Sequence, residues 1–152
     1  MDAAHSDYFA TLVEHETSLW NALDRYLRTV PGSVTLGRFG VLRVIDSGEG
    51  RARVQDVAAE MGITVGAASR LVDRLESDGL ASRSPNPTDR RGSVLELTTA
   101  GADRAETTRR AFDEGLGKLL GGATAPELVD LTDRLRRVDD ALRTTIKEAL
   151  YA

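Results

Sequence analysis

The sequence predicts a mainly α-helical chain of six helices with one small β-hairpin. Three observations carry that reading. Apolar residues recur at steps of three and four through most of the 152 positions, the period of a half-buried helix. Glycine or proline stands where the helical patterns break off, at Pro31-Gly32, Gly48, Gly62, Gly79 and Gly121-Gly122. Two short candidate strands, Leu80 to Ser84 and Val94 to Leu97, flank SPNPTDRRGS, a segment rich in turn formers and too polar to bury.

The first helix is predicted over residues 8 to 30, where Phe9, Leu12, Val13, Leu19, Trp20, Leu23, Tyr26, Leu27 and Val30 form an apolar stripe. A second runs from about Leu36 to Ile45, capped by Thr35 or Ser33. The third, Val54 to Met61, turns Val57, Ala58 and Met61 inward and stops at Gly62. Thr64 is a natural N-cap for the fourth, which ends at Gly79 and places Leu71, Val72 and Leu75 in the core. After the strands, Thr98 or Thr99 caps a fifth helix lasting to about Leu120, with Gly101 giving it a tight entry. Ala125-Pro126 opens a sixth, proline being tolerated in the first turn. Its Leu128, Leu131, Leu135, Val138, Leu142, Ile146 and Leu150 keep a three-four rhythm for about three heptads.

The outer helices carry more apolar surface than one small domain needs. Residues 1–34 and 99–152 are therefore expected to interlock with a second copy of the chain, making a homodimer. Residues 35–98 have the order of a winged helix-turn-helix, all within one 152-residue chain.

Composition narrows the chemistry. With no cysteine there is no disulfide, thiolate catalysis, thiol redox sensing or cysteine-ligated zinc. No apolar run reaches the ~20 residues of a membrane span, and the N-terminus lacks a signal peptide's basic-then-apolar order, so a cytoplasmic protein without a membrane partner is expected. His5 and His15, the two histidines, form no His-x-x-His pair, and Glu14 and Glu16 alone do not complete a metal site. No histidine or lysine is placed to activate a hydroxyl, and no phosphate-binding glycine loop is present. Neither an enzyme nor a cofactor is expected.

A net charge of −4 argues against a nucleic-acid ligand until its distribution is considered. From Arg51 to Gly92 seven arginines face six acids, a balance of +1, which leaves −5 for the rest. Within that stretch the fourth helix, VGAASRLVDRLES, has a polar outer face bearing Ser69, Arg70 and Asp73, and the hairpin tip carries Asp89, Arg90 and Arg91. An amphipathic helix beside an arginine-tipped hairpin suits duplex DNA. The helix fits the ~12 Å major groove and the tip reaches the ~6 Å minor groove.

The same residues resemble the MarR family of bacterial transcription regulators. The resemblance runs through Val57-Ala58, Met61-Gly62, Ser69-Arg70-Leu71-Val72-Asp73-Arg74-Leu75-Glu76, Gly79-Leu80, Arg83, Pro87, Asp89-Arg90-Arg91, Leu95, Leu97-Thr98 and Gly101. It implies an obligate homodimer on an imperfect palindromic operator, most often as a repressor, frequently released by a small anionic or phenolic effector. It also implies that Arg91 enters the minor groove while Asp89 holds its guanidinium, a pairing suited to arginine's planar fork. The bland alternative is an exposed turn ion pair. Arg90 is either a phosphate contact or a solvated charge.

Thr64, Val65, Gly66, Ser69 and Arg70 lie in the half of the fourth helix that enters the groove in helix-turn-helix proteins. Arg70 reads guanine or meets only phosphate. Arg74 pairs with Asp78 or with a phosphate. Gly66 stands where many relatives have a hydroxyl or amide, which shifts weight to Arg70 and to DNA shape. Arg51 and Arg53 either flank the backbone or are plain surface charge. Trp20 and Tyr26, with Arg38 or Arg43 from the next helix, form a candidate effector crevice of aromatic wall and guanidinium; the alternative is ordinary core. A winged-helix dimer that binds proteins and no DNA is the rival reading.

Overall fold

A computed structural model describes residues 3–85 and 93–151. Its elements follow the order α1 (Ala3–Thr29), α2 (Leu36–Ser47), α3 (Val54–Met61), α4 (Val65–Ser77), β1 (Ala81–Pro85), β2 (Ser93–Leu97), α5 (Thr99–Leu119) and α6 (Ala125–Tyr151). They divide into two compact units, Met1–Gly117 and Lys118–Ala152. No described helix is long and apolar enough to cross a membrane.

α1 begins five residues earlier than its apolar stripe, because Ala3 to Asp7 are polar or small and wholly exposed, and helical period says nothing about such turns. α2 has Thr35 at its N-cap position, yet the threonine side chain makes no capping bond. Asp24 of α1 does so instead, its Oδ1 accepting from the Leu36 amide at 2.8 Å. Partial burial alone would raise this carboxyl's pKa, but the Leu36 amide and Arg28 outweigh burial and hold it below its ordinary value.

α3 and α4 end alike. Gly62 (φ +62) lets the Ile63 amide reach the Ala58 carbonyl at 3.0 Å, and Gly79 (φ +70) lets the Leu80 amide reach Leu75 at 2.8 Å. Both closures satisfy carbonyls that a helix end would leave bare, and glycine adopts the left-handed turn without a Cβ clash. Gly48 is needed for a different reason. Its φ is −76°, but a Cβ there would stand 2.5 Å from that of Ala52.

Two clusters in the first unit make its core. Val41, Leu42, Ile45, Val57, Ala68, Val72, Leu75 and Leu95 join α2, α3, α4 and β2. Leu23, Leu27, Leu36, Phe39 and Ala111 join α1, α2 and α5, with Phe39 and Phe112 tilted at 46° and 5.5 Å apart. Each large apolar side chain so buried contributes about 1.5–3 kcal/mol. The buried side of α4 is centred on Ala68, Val72 and Leu75, all 0% exposed, whereas Leu71, expected in the core, is only half-buried. β1 and β2 pair antiparallel, with Ala81 opposite Leu97 and Arg83 opposite Leu95. Ala52 bridges to Leu95, whose amide donates to the Ala52 carbonyl at 2.7 Å, so the loop before α3 is fixed to the hairpin.

Candidate nucleic-acid interface

α3, the turn Gly62-Ile63-Thr64 and α4 form one rigid corner. The Thr64 hydroxyl oxygen accepts from the Ala67 amide at 3.2 Å, as its N-cap position predicts. From that corner α4 presents Val65, Gly66, Arg70, Asp73, Arg74 and Ser77 to solvent, Val65 at 53% exposure. A Cβ added to Gly66 would meet nothing within 4 Å, so this end of the helix offers open space to whatever approaches. Arg70 Nε donates to the Gly66 carbonyl at 3.3 Å, which lays the guanidinium back along the first turn. Among the described residues neither Arg70 nor Arg74 has an ion pair. The expected Arg74–Asp78 pair is replaced by another: Asp78, at the C-cap of α4, binds Arg38 of α2.

Ser69 is half-buried and lies 3.4 Å from Arg83 Nη2 of β1. Arg83 Nη1 also meets Glu76 Oε2 at 2.5 Å and Asp73 Oδ1 at 2.7 Å. This junction of strand and helix has no signal in sequence spacing. Its partners lie seven, ten and fourteen positions apart across a turn, and only folding reveals them.

Asp89, Arg90 and Arg91 lie outside the described residues. β1 and β2 pair antiparallel up to Pro85 opposite Ser93. The arm is anchored at its base, where Thr98 Oγ1 donates to the Gly79 carbonyl at 2.6 Å and accepts from the Gly101 amide at 3.0 Å. Thr98 and Gly101 thus act as the cap and the tight helix entry expected of them. Arg51 pairs loosely with Glu49 at 3.5 Å on a fully solvated surface, and the Arg53 amide donates to Asp56 Oδ2 at 2.7 Å to start α3.

Of the four candidate effector residues, Trp20 and Tyr26 lie on α1 and Arg38 and Arg43 on α2. Arg38 borders a crevice of about 410 Å³ with Thr35, Gly37, Leu71, Arg74, Ser77 and Asp78. Trp20, Tyr26 and Arg43 are not in its wall. Arg43 sits over the Phe39 ring at 6.0 Å, and Tyr26 packs where α1 crosses α5, so close that a Cβ on Gly115 would fall 2.6 Å from its ring. Trp20 stands 46% exposed on α1. Helical spacing put these residues near one another in sequence but could not say which way each face turns. Among the described residues no cluster of His, Asp or Glu could hold a metal ion.

A short helix, a tight turn, a second helix with an arginine-bearing outer face and an adjoining hairpin define a winged helix-turn-helix protein. A family model described as MarR family matches residues 33–92. The multiple antibiotic resistance protein MarR of Escherichia coli is 32% identical over 117 residues, covering 76% of this chain and 79% of that protein. The chain belongs to the MarR family of transcriptional regulators. Among solved structures, a mutant MarR from E. coli complexed with operator DNA superposes with a TM-score of 0.75 at 27% identity, covering 91% of this chain and 99% of that one. AbsC of Streptomyces coelicolor shares the fold at a TM-score of 0.79 and 20% identity, over 95% and 97% of the two chains.

Proposed function

We propose that this chain is a homodimeric repressor that binds a palindromic operator. Two copies of α4 would occupy successive major grooves about one turn (~34 Å) apart, with the hairpin tips in the flanking minor grooves. The observation that carries this is the outer face of α4. Thr64, Val65, Gly66, Ser69, Arg70 and Arg74 line a surface that is open beside Gly66 and bears two guanidinium groups without an ion pair among the described residues. Support also comes from the relative whose structure is complexed with operator DNA. Arg91, oriented by Asp89, is assigned to the minor groove, and Arg90 to phosphate. A small anionic effector, where one acts, would meet Arg38 and Arg74 in the crevice at the end of α4. It would release DNA by preferring the non-binding arrangement by ~1–3 kcal/mol.

Titration of a random duplex at low salt tests the reading. Non-specific binding that falls steeply as salt rises is expected, and no binding to any duplex would leave the protein-interaction reading in its place. On a selected operator, Arg70→Ala should cost about 1–3 kcal/mol and relax preference at one symmetric position. A loss spread evenly over all sequences would make Arg70 a phosphate contact.

A further inference from the structure

We propose that Arg83 is a positioning residue for DNA recognition. It draws the Asp73 and Glu76 carboxylates off the approaching phosphates. The inference rests on the DNA-binding reading above.

Asp73 is the difficulty that Arg83 resolves. It follows Arg70 by three residues and is therefore its neighbour on the outer face of α4. Its side chain is 54% exposed. A bare carboxylate there would oppose a polyanion, and like-charge juxtaposition across an interface is costly. Glu76 adds a second acid on the side of the helix that meets β1. Arg83 Nη1 reaches both, at 2.7 and 2.5 Å, and Nη2 lies 3.4 Å from the Ser69 hydroxyl.

One guanidinium against two carboxylates leaves this cluster at −1 instead of −2. A planar fork with several donors can hold more than one acceptor at fixed angles, which an ammonium group cannot do as well. What the cluster does change is the field that DNA meets.

Anisotropy titrations of the full chain on a selected operator, at several salt concentrations, test the proposal with four proteins. Arg83→Met should weaken binding roughly tenfold relative to wild type. Adding Asp73→Asn and Glu76→Gln to that variant should restore wild-type affinity or better, at an unchanged slope of log K on log salt. The double variant Asp73→Asn/Glu76→Gln, which keeps Arg83, should bind more tightly than wild type.

Wild-type affinity in Arg83→Met, or a triple variant as weak as Arg83→Met, overturns the proposal. So does a salt slope shallower by about one in the triple variant, because Arg83 would then itself be a phosphate contact. Should Arg83→Met fail to fold, the double variant decides: tighter binding supports the proposal and unchanged or weaker binding overturns it. A wild-type chain that ignores every duplex overturns the DNA-binding reading itself, and that result is visible before any variant is compared.

Discussion

Gly66 and Gly101 are both helical glycines, and their surroundings give them opposite meanings. A Cβ on Gly101 would fall 1.8 Å from the Leu80 carbonyl oxygen, a backbone atom that cannot step aside. The start of α5 must press against that carbonyl because Thr98 binds Gly79 on one side and Gly101 on the other. Gly101→Ala should therefore destabilise the chain by about 1–3 kcal/mol, the usual cost of forcing extra atoms into a packed contact. A Cβ on Gly66 meets nothing. Gly66→Ala should stabilise by roughly 0.5–1 kcal/mol, since alanine loses less backbone freedom in a helix. Urea denaturation midpoints check the pair, and shifts in the same direction would refute the contact geometry.

At the scale of elements, α5 carries a charge cluster with a measurable signature. Glu106 accepts from Arg109 Nε at 2.8 Å and Nη2 at 2.9 Å, and from Arg110 Nε at 2.7 Å. Those bonds, Arg109 first, hold its pKa down to about 2 from an ordinary 4.5. The folded value lies below the unfolded one, so the cluster's contribution is complete above pH 4.5 and is lost as pH falls through about 2. A carboxyl titration by NMR should place the Glu106 midpoint near pH 2, and Arg109→Gln or raised salt should move it upward. A midpoint at the ordinary value in the wild type would dissolve the cluster. Such i,i+3 and i,i+4 partners are legible in sequence, as is the start of α6, where Thr124 and Glu127 cap each other reciprocally at 2.8 and 3.4 Å. Element order was legible for the same reason, because period and stop residues are local. The α2 cap from Asp24 and the Arg83 junction were not, since each depends on how two elements meet.

At the scale of the whole molecule, the exposed apolar surface demands a partner. α1 shows Tyr8, Phe9, Leu12, Val13 and Trp20 to solvent, and α6 shows Val129, Leu131, Val138, Leu142 and Ile146. No described residue of α6 is fully buried; Leu128 and Leu135 are half-buried. A long helix with a three-four apolar rhythm gains most of its stability by packing that stripe, so α6 in a lone copy would leave its main source of stability unused. In the homodimer proposed above, a second copy of the chain would supply the missing face, as closed two-fold assemblies do. Leu142, 54% exposed, sits in the middle of the stripe. Leu142→Asp should give a monomer by analytical ultracentrifugation, because a carboxylate buried at an apolar seam is left without a partner. The same variant should lose far more affinity for a duplex with two half-sites than for one with a single half-site, since only the dimer makes the second contact intramolecular. A dimer of normal mass would move the interface elsewhere. A monomer that still bound the two-half-site duplex as tightly as wild type would remove pairing from the mechanism, and with it the need for matched grooves.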